Sequence, residues 1–278
     1  MRLIAREFER HESNHTYTFY GIGDMHIASQ AFSPEHFKKV RRRIEEDPDA
    51  YAIGMGDFGE CINTHDVRFD PRQLRPRYRN AIKRLAQEEA AELKELLEPI
   101  KHKLLGLIYG GHEYSLLQRY EFDLVWELCN SLGVPNLGDT ALIRLTFRRR
   151  IESPTGSKPT HSRTLFLFAA HGYGNSRKWG GRINKISDLA SGIRADIYML
   201  GHMHSHAWIK EADLIVPTSG KLRLINKPRV GICVPSFYRT YQEDVDTYAA
   251  RKLYMPSALG IAGVRVALTQ EDYDFLPA

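Results

Sequence analysis

Aspartate and histidine gather at five points along this 278-residue chain: Asp24 with His26, Asp57, His112, His171, and His202 with His204. Each point follows directly on a short apolar run. In Gly23-Asp24-Met25-His26 and Gly201-His202-Met203-His204 the polar residues are two apart, and a strand turns alternate side chains to one face. Carboxylate and imidazole offer lone pairs of intermediate hardness, suited to divalent transition metals. Six or seven such ligands are too many for one tetrahedral zinc. They fit two metals sharing a carboxylate, an arrangement that activates water for attack on phosphorus. Asp57 could be the bridge, since both of its oxygens carry lone pairs. Glu60 could assist, although a surface role or a turn cap is the plainer reading of it.

The elements that must position these residues alternate strand with helix. Residues 17–22, 51–56, 104–109 and 196–200 read as strands, most of them unbroken apolar runs of the kind buried on both faces. Helices are expected over 34–46, with Ser33 as cap and Pro34 in the first turn, and over 79–98, 121–132 and 183–191. Residues 142–150 and 164–170 are β-rich, and a polar hairpin tip expected to be mobile lies between them, at about 151–162. Beyond 204 the chain reads as β with turns, including a strand-like run at 263–268. Strand, loop and helix in succession make an α/β protein. In such folds, sites form at the carboxyl ends of the strands.

Composition sets the outer limits. Hydrophobic residues make up 42% and charged residues 26% of the chain, ordinary values for a soluble globular protein. No apolar run is long enough to span a bilayer, so no membrane partner is expected and the compartment expected is the cytoplasm. Cys61, Cys129 and Cys233 are scattered without motif spacing, as suits reduced thiols. The net charge of +5 permits a polyanionic partner without requiring one. Arg68, Arg72, Arg75, Arg77 and Arg79 make residues 61–100 a basic insertion, either a solvated face or a surface for a phosphate backbone. A second basic stretch holds Arg177, Lys178 and Arg182 among glycines, before a helix whose N-terminus would favour an anion. These three are the candidate substrate-phosphate ligands.

The blocks Asp-x-His, Gly-Asp-x-x-Glu, Gly-x-His-Glu, His-Gly and Gly-His-x-His, in that order over about residues 17–210, resemble those of the calcineurin-like metallophosphoesterases, with a Gly-rich Arg loop after His171 similar to that of phage and bacterial members. The resemblance implies one domain over 1–278, folded as a four-layer αββα sandwich with metals at the strand ends. It implies that Asp24, His26, Asp57 and His204 hold one divalent metal and that Asp57, His171 and His202 hold the other. Asp57 would then be the bridge, and His112 would stand beside the phosphate as acid or transition-state stabiliser. Two divalent cations are expected, manganese first, with iron, zinc, nickel, cobalt and magnesium as alternatives. The substrate expected is a phosphate ester, with DNA, RNA and nucleotides all open. The alternative is a non-catalytic metal- or phosphate-binding protein on the same scaffold. One departure keeps it open: where the family has an Asn ligand, this chain has Gly111.

Overall fold

Apolar runs of four or five residues are too short for helices and suit strands covered on both sides. The computed structural model describes residues 1–10, 14–62, 64, 66, 68–150, 160–174, 176, 178–217, 220, 222–270 and 272–278. In chain order the elements are β1 (Arg2–Arg10), β2 (His15–Ile22), α1 (Pro34–Glu46), β3 (Ala50–Gly54), α2 (Pro76–Arg79), α3 (Leu85–Leu97), β4 (Leu104–Leu107), α4 (Gly111–Tyr120) and α5 (Leu124–Leu132). There follow β5 (Thr140–Arg150), β6 (Thr160–Ala170), α6 (Trp179–Gly192), β7 (Ile197–Leu200), β8 (Ala207–Ile215), β9 (Ile225–Cys233), α7 (Tyr248–Arg251), β10 (Ala262–Leu268) and β11 (Tyr273–Pro277).

The strands form two sheets, ordered β1-β5-β6-β7-β9-β8 and β11-β10-β2-β3-β4. Each contains a parallel trio, β6-β7-β9 inside the first and β2-β3-β4 running to the edge of the second. The alternation of side chains sorts residues into layers. Ile197 and Met199 of β7 join Phe19, Ile53, Leu105, Ile143 and Ile232 in a core between the sheets. Tyr198 and Leu200, their neighbours on the same strand, face outward and pack with Ile186 of α6. Helix and strand approach closely there, since a Cβ on Gly231 would meet Ile186 at 2.4 Å. On the outer face of the five-stranded sheet, Phe37 and Ile44 of α1, Leu93 and Leu97 of α3 and Leu128 of α5 cover Ile22, Ala52 and Leu104. The chain is therefore an α/β protein in four layers, helix, sheet, sheet, helix. No helix among the described residues is long and apolar enough to cross a membrane, and all three cysteines are free and buried.

Several elements depart from the sequence reading. Helix α1 has the expected bounds, yet Ser33 makes no side-chain cap; its Oγ instead accepts from Arg239 Nη2 at 3.0 Å. The helix expected over 79–98 is broken into α2, a 3₁₀ turn at Ile82–Arg84 and α3. Helix α4, carrying His112 in its first turn, replaces an expected loop. It ends where Glu121 takes the left-handed conformation, φ 56°, before the shorter α5. Most of the hairpin tip expected at 151–162 lies outside the described residues.

The basic stretch is largely tied to its own surroundings. Arg75 and Arg77 share Glu92 of α3, at 2.9 and 3.1 Å. Arg68 and Arg119 share Asp66, at 2.7 and 3.0 Å. Arg72 pairs with Asp70, Arg84 with Glu88, and Arg79 Nε donates to the Leu74 carbonyl. Leu74 and Tyr78 anchor the stretch in the core, and these pairs hold the chain between such anchors.

Candidate metal centre

Parallel strands point their carboxyl ends the same way, and the two trios lie in facing sheets, so six loops converge on one edge. β2 delivers Asp24 and His26, β3 delivers Asp57 and Glu60, and β4 delivers His112. β6 delivers His171, β7 delivers His202 and His204, and β9 runs on to Tyr238. The loops after β2 and β3 are zipped together by backbone bonds, from Asp24 N to Gly56 O and from Met25 N and His26 N to Asp57 O. Five of the residues delivered there have left-handed φ without being glycine: Asp24 (48°), His26 (49°), Asp57 (50°), His202 (66°) and His204 (45°). Asp and His tolerate that region better than most residues, yet so many together is strain of the kind concentrated at functional sites.

Two donor groups result, each with one ligand atom per residue lying within 4.8 Å of the others: Asp24, Asp57, His171 and His202, and then Asp24, His26 and His204. Asp24 belongs to both. A third group, His26, Glu60 and His112, adjoins them. Asp24 and Asp57 are almost wholly buried, at 0% and 3% exposed. Asp24 Oδ2 accepts from His202 N at 2.8 Å, and Asp57 Oδ1 accepts from His112 N at 2.9 Å. His171 Nδ1 lies 2.7 Å from the Met55 carbonyl. A carbonyl can only accept, so Nδ1 carries the hydrogen and Nε2 faces the site, 3.1 Å from Asp57 Oδ2 and 3.2 Å from His202 Nδ1. Such an outer hydrogen bond fixes the tautomer of a ligating histidine.

The remaining atoms are those that a cation would satisfy. Asp24 Oδ1 stands 3.2 Å from His204 Nε2, and His26 Nδ1 stands 3.4 Å from Glu60 Oε2. Neither contact is aligned as a hydrogen bond. Asp24 Oδ1, Glu60 Oε2 and both ring nitrogens of His26 are thus buried without a hydrogen-bond partner. Orphaned buried polar atoms cost about 1–3 kcal/mol each, and a mixed carboxylate–imidazole set suits borderline divalent metals. The residues present fit the group that the resemblance implies.

The electrostatics agree. Burial alone would push the Asp24 carboxyl up, but His204 and His171 outweigh it and hold it below the usual range. Burial likewise opposes ionisation of Asp57, and His171 and His112 overcome it by more. In return, burial lowers His26 while Glu60, Asp57 and Asp24 raise it, to about 9. His171 is carried up to about 10 by Asp57 and Asp24 against its own burial. Burial and the neighbouring His171 push His202 down. Without a cation the carboxylates hold protons on the imidazoles, so metal binding must release protons.

The groups open into a cavity of about 610 Å³ whose lining includes His26, Asp57, Glu60, His112, His202 and His204, along with Arg68 and Arg182. Of the three substrate-phosphate candidates, Arg182 therefore lines the cavity, its Nε donating to the Ser176 carbonyl. Lys178 is exposed at the start of α6 and does not line it. Arg177 lies outside the described residues. Sequence reasoning missed Tyr238, whose ring is 5.5 Å from that of His26 and 6.0 Å from that of His204. Its signal was the end of the apolar run Val230–Val234, a sixth strand end without an Asp or His.

Gly111 occupies the first position of α4 with an ordinary negative φ, and a Cβ placed there meets nothing within 4 Å. Gly111→Asn should therefore fold normally. An added amide oxygen is a competent ligand for a borderline cation, so the weaker of two manganese affinities should tighten. Calorimetric titration of both proteins would check this. Two equally tight sites in the natural sequence would mean that another residue already fills the place of the Asn.

No known family matches the chain, and no curated protein matches it significantly. Among solved structures it is similar to Chaetomium thermophilum Vps29, with 7% identity, 94% of this chain and 92% of that chain covered, and a TM-score of 0.36. It is also similar to Haemophilus influenzae NAD nucleotidase (NadN), with 9% identity over 95% of this chain and a TM-score of 0.41, and it spans 50% of that protein's length. At TM-scores this low the four-layer architecture stands on its own sheets and cores.

Proposed function

We propose that the chain is a dinuclear, metal-dependent phosphoesterase. The observation that carries this reading is Asp24, one buried carboxylate belonging to two donor groups at once, beneath a cavity lined by other members of those groups and by arginine. A pair of divalent cations bound there supplies positive charge at a phosphate and lowers the pKa of water. The protein's own part is positioning and proton transfer. Asp24, His26 and His204 would hold one cation, and Asp57, His171 and His202, with Asp24 again, would hold the other. Arg68 and Arg182 attract the anionic ester. His112 Nδ1 lies 2.5 Å from the Glu60 carbonyl and so carries a hydrogen, which leaves Nε2 facing the ester; in the imidazolium form Nε2 holds the second proton and gives it to the leaving oxygen.

The test is a panel of p-nitrophenyl phosphate, its bis ester, nucleotides, DNA and RNA, each with manganese and with other divalent metals. His112→Ala is expected to lower kcat by roughly 10²–10⁴ with metal content unchanged. Loss of one metal equivalent in that variant would make His112 a ligand, through the group it forms with His26 and Glu60. Metal binding without turnover of any ester would favour the alternative that Gly111 keeps open, a non-catalytic binding protein.

A further inference from the structure

The half of the cavity away from the donor groups has its own construction. One wall is the segment between β9 and β10, from Tyr238 to Ser257, and the other is the turn at 68–74. The two are pinned together: Arg251 Nη2 lies 3.5 Å from Asp70 Oδ2, and the Gln73 side chain donates to the Asp246 carbonyl. In the first wall, Thr247 Oγ1 accepts from Ala250 N and caps α7, which sets Tyr248 at the start of the helix. Tyr254 stands edge-on to Tyr248, with ring centres 6.4 Å apart and planes at 82°. Yet Tyr248 remains 41% exposed and the neighbouring Met255 63% exposed. Lys252 Nζ lies over the Tyr248 ring, 5.8 Å from its centre, so the recess leaves an aromatic ring partly open and a thioether open, beside the end that the phosphoesterase reading gives to phosphate.

We propose that this wall is a base-binding shelf, so that the esters hydrolysed are those of nucleosides, taken one nucleotide at a time. The proposal rests on the phosphoesterase reading for the placement of the phosphate. A flat base would cover Tyr248 by stacking, which every base can do; glycerol phosphate would leave the wall bare. Gln73, Thr240 and Ser257 also line the recess. Each gives a hydrogen to a carbonyl, of Asp246, Met255 and Tyr238 in turn, and their oxygens remain as acceptors suited to sugar hydroxyls and base-edge N–H groups, which a plain aryl ester would not use. The volume is that of a small-ligand site. A polymer would need an open basic track, and Arg75, Arg77 and Arg79 are held by Glu92 and the Leu74 carbonyl instead.

The test compares kcat/KM for nucleoside monophosphates and cyclic nucleotides with that for glycerol phosphate, DNA and RNA, using manganese-loaded protein. Calorimetry of adenosine monophosphate runs alongside. Mononucleotides are expected to be preferred over glycerol phosphate by about 10- to 100-fold, from the stacking of a single base. In Tyr248→Ala that ratio should collapse through KM, and nucleotide binding should weaken by about 10-fold or more; Tyr248→Phe should keep both. Equal rates for nucleotides and glycerol phosphate, or a ratio unmoved in Tyr248→Ala, would overturn the shelf and leave the phosphoesterase standing. Preference for DNA or RNA would do the same. Nucleotide binding that depends on Tyr248 without turnover of any ester would keep the shelf and overturn the catalytic reading. Neither binding nor turnover would overturn both.

Discussion

Asp24→Asn is expected to leave the protein with no tightly held divalent metal and no esterase turnover, whereas Asp57→Asn should retain one metal equivalent. Asp24 stands in both donor groups and Asp57 in one. Loss of an outer-shell partner alone costs a metal site 10–100-fold in affinity, so losing a shared charged ligand should cost each site more than about 100-fold. Both variants should fold. Asp24 Oδ2 accepts from His202 N and Asp57 Oδ1 from His112 N, and an asparagine carbonyl can accept the same bonds. Metal analysis after gel filtration, read beside turnover, checks the result. The family resemblance implies the reverse order, with Asp57 as the bridge. An Asp57→Asn protein stripped of both metals, beside an Asp24→Asn protein that keeps one, would restore that assignment.

The gathering of Asp24, His26, Asp57, His171, His202 and His204 was legible because they sit where parallel strands end, and an apolar run followed by Asp or His marks such a point without tertiary information. Helix α1 was legible to the residue, since Pro34 opens it and its buried Phe37, Val40 and Ile44 recur at helical spacing. Features fixed by distant partners were hidden. Nothing local says that Arg75 and Arg77 turn to Glu92, fifteen or more residues on, or that Ser33 serves Arg239 rather than its own helix. The left-handed backbone at Asp24, His26 and Asp57 is equally silent, because sequence reading looks for glycine there. Helix α4 was the largest omission. Gly110-Gly111 reads as a loop, and what makes it a helix start is a carboxylate, Glu113, whose partners come from two segments.

Glu113→Leu is expected to be the most destabilising of the substitutions considered, by roughly 3–9 kcal/mol. Glu113 is fully buried and accepts three backbone hydrogen bonds: from Asp57 N at 2.9 Å, Gly110 N at 3.0 Å and Gly59 N at 3.1 Å. Leucine matches it in bulk but leaves three buried N–H groups unpaired, at about 1–3 kcal/mol each. That is a large part of the 5–15 kcal/mol that ordinarily holds a domain together. Water has little room to substitute, because the loops after β3 and β4 touch: a Cβ on Gly110 would lie 2.1 Å from Asp57 N. Glu113→Gln should fall between. Its carbonyl can replace Oε2 and keep the bonds from Asp57 and Gly110, while its amide N–H₂ meets the Gly59 N–H donor to donor. Urea midpoints for the three proteins should therefore fall in the order Glu, Gln, Leu. Since the same carboxylate fixes the loop that carries Asp57, the Gln variant should also bind metal more weakly per folded molecule. A Leu variant with a near-native midpoint would mean that the Asp57 loop is held by its zipper to residues 24–27 alone.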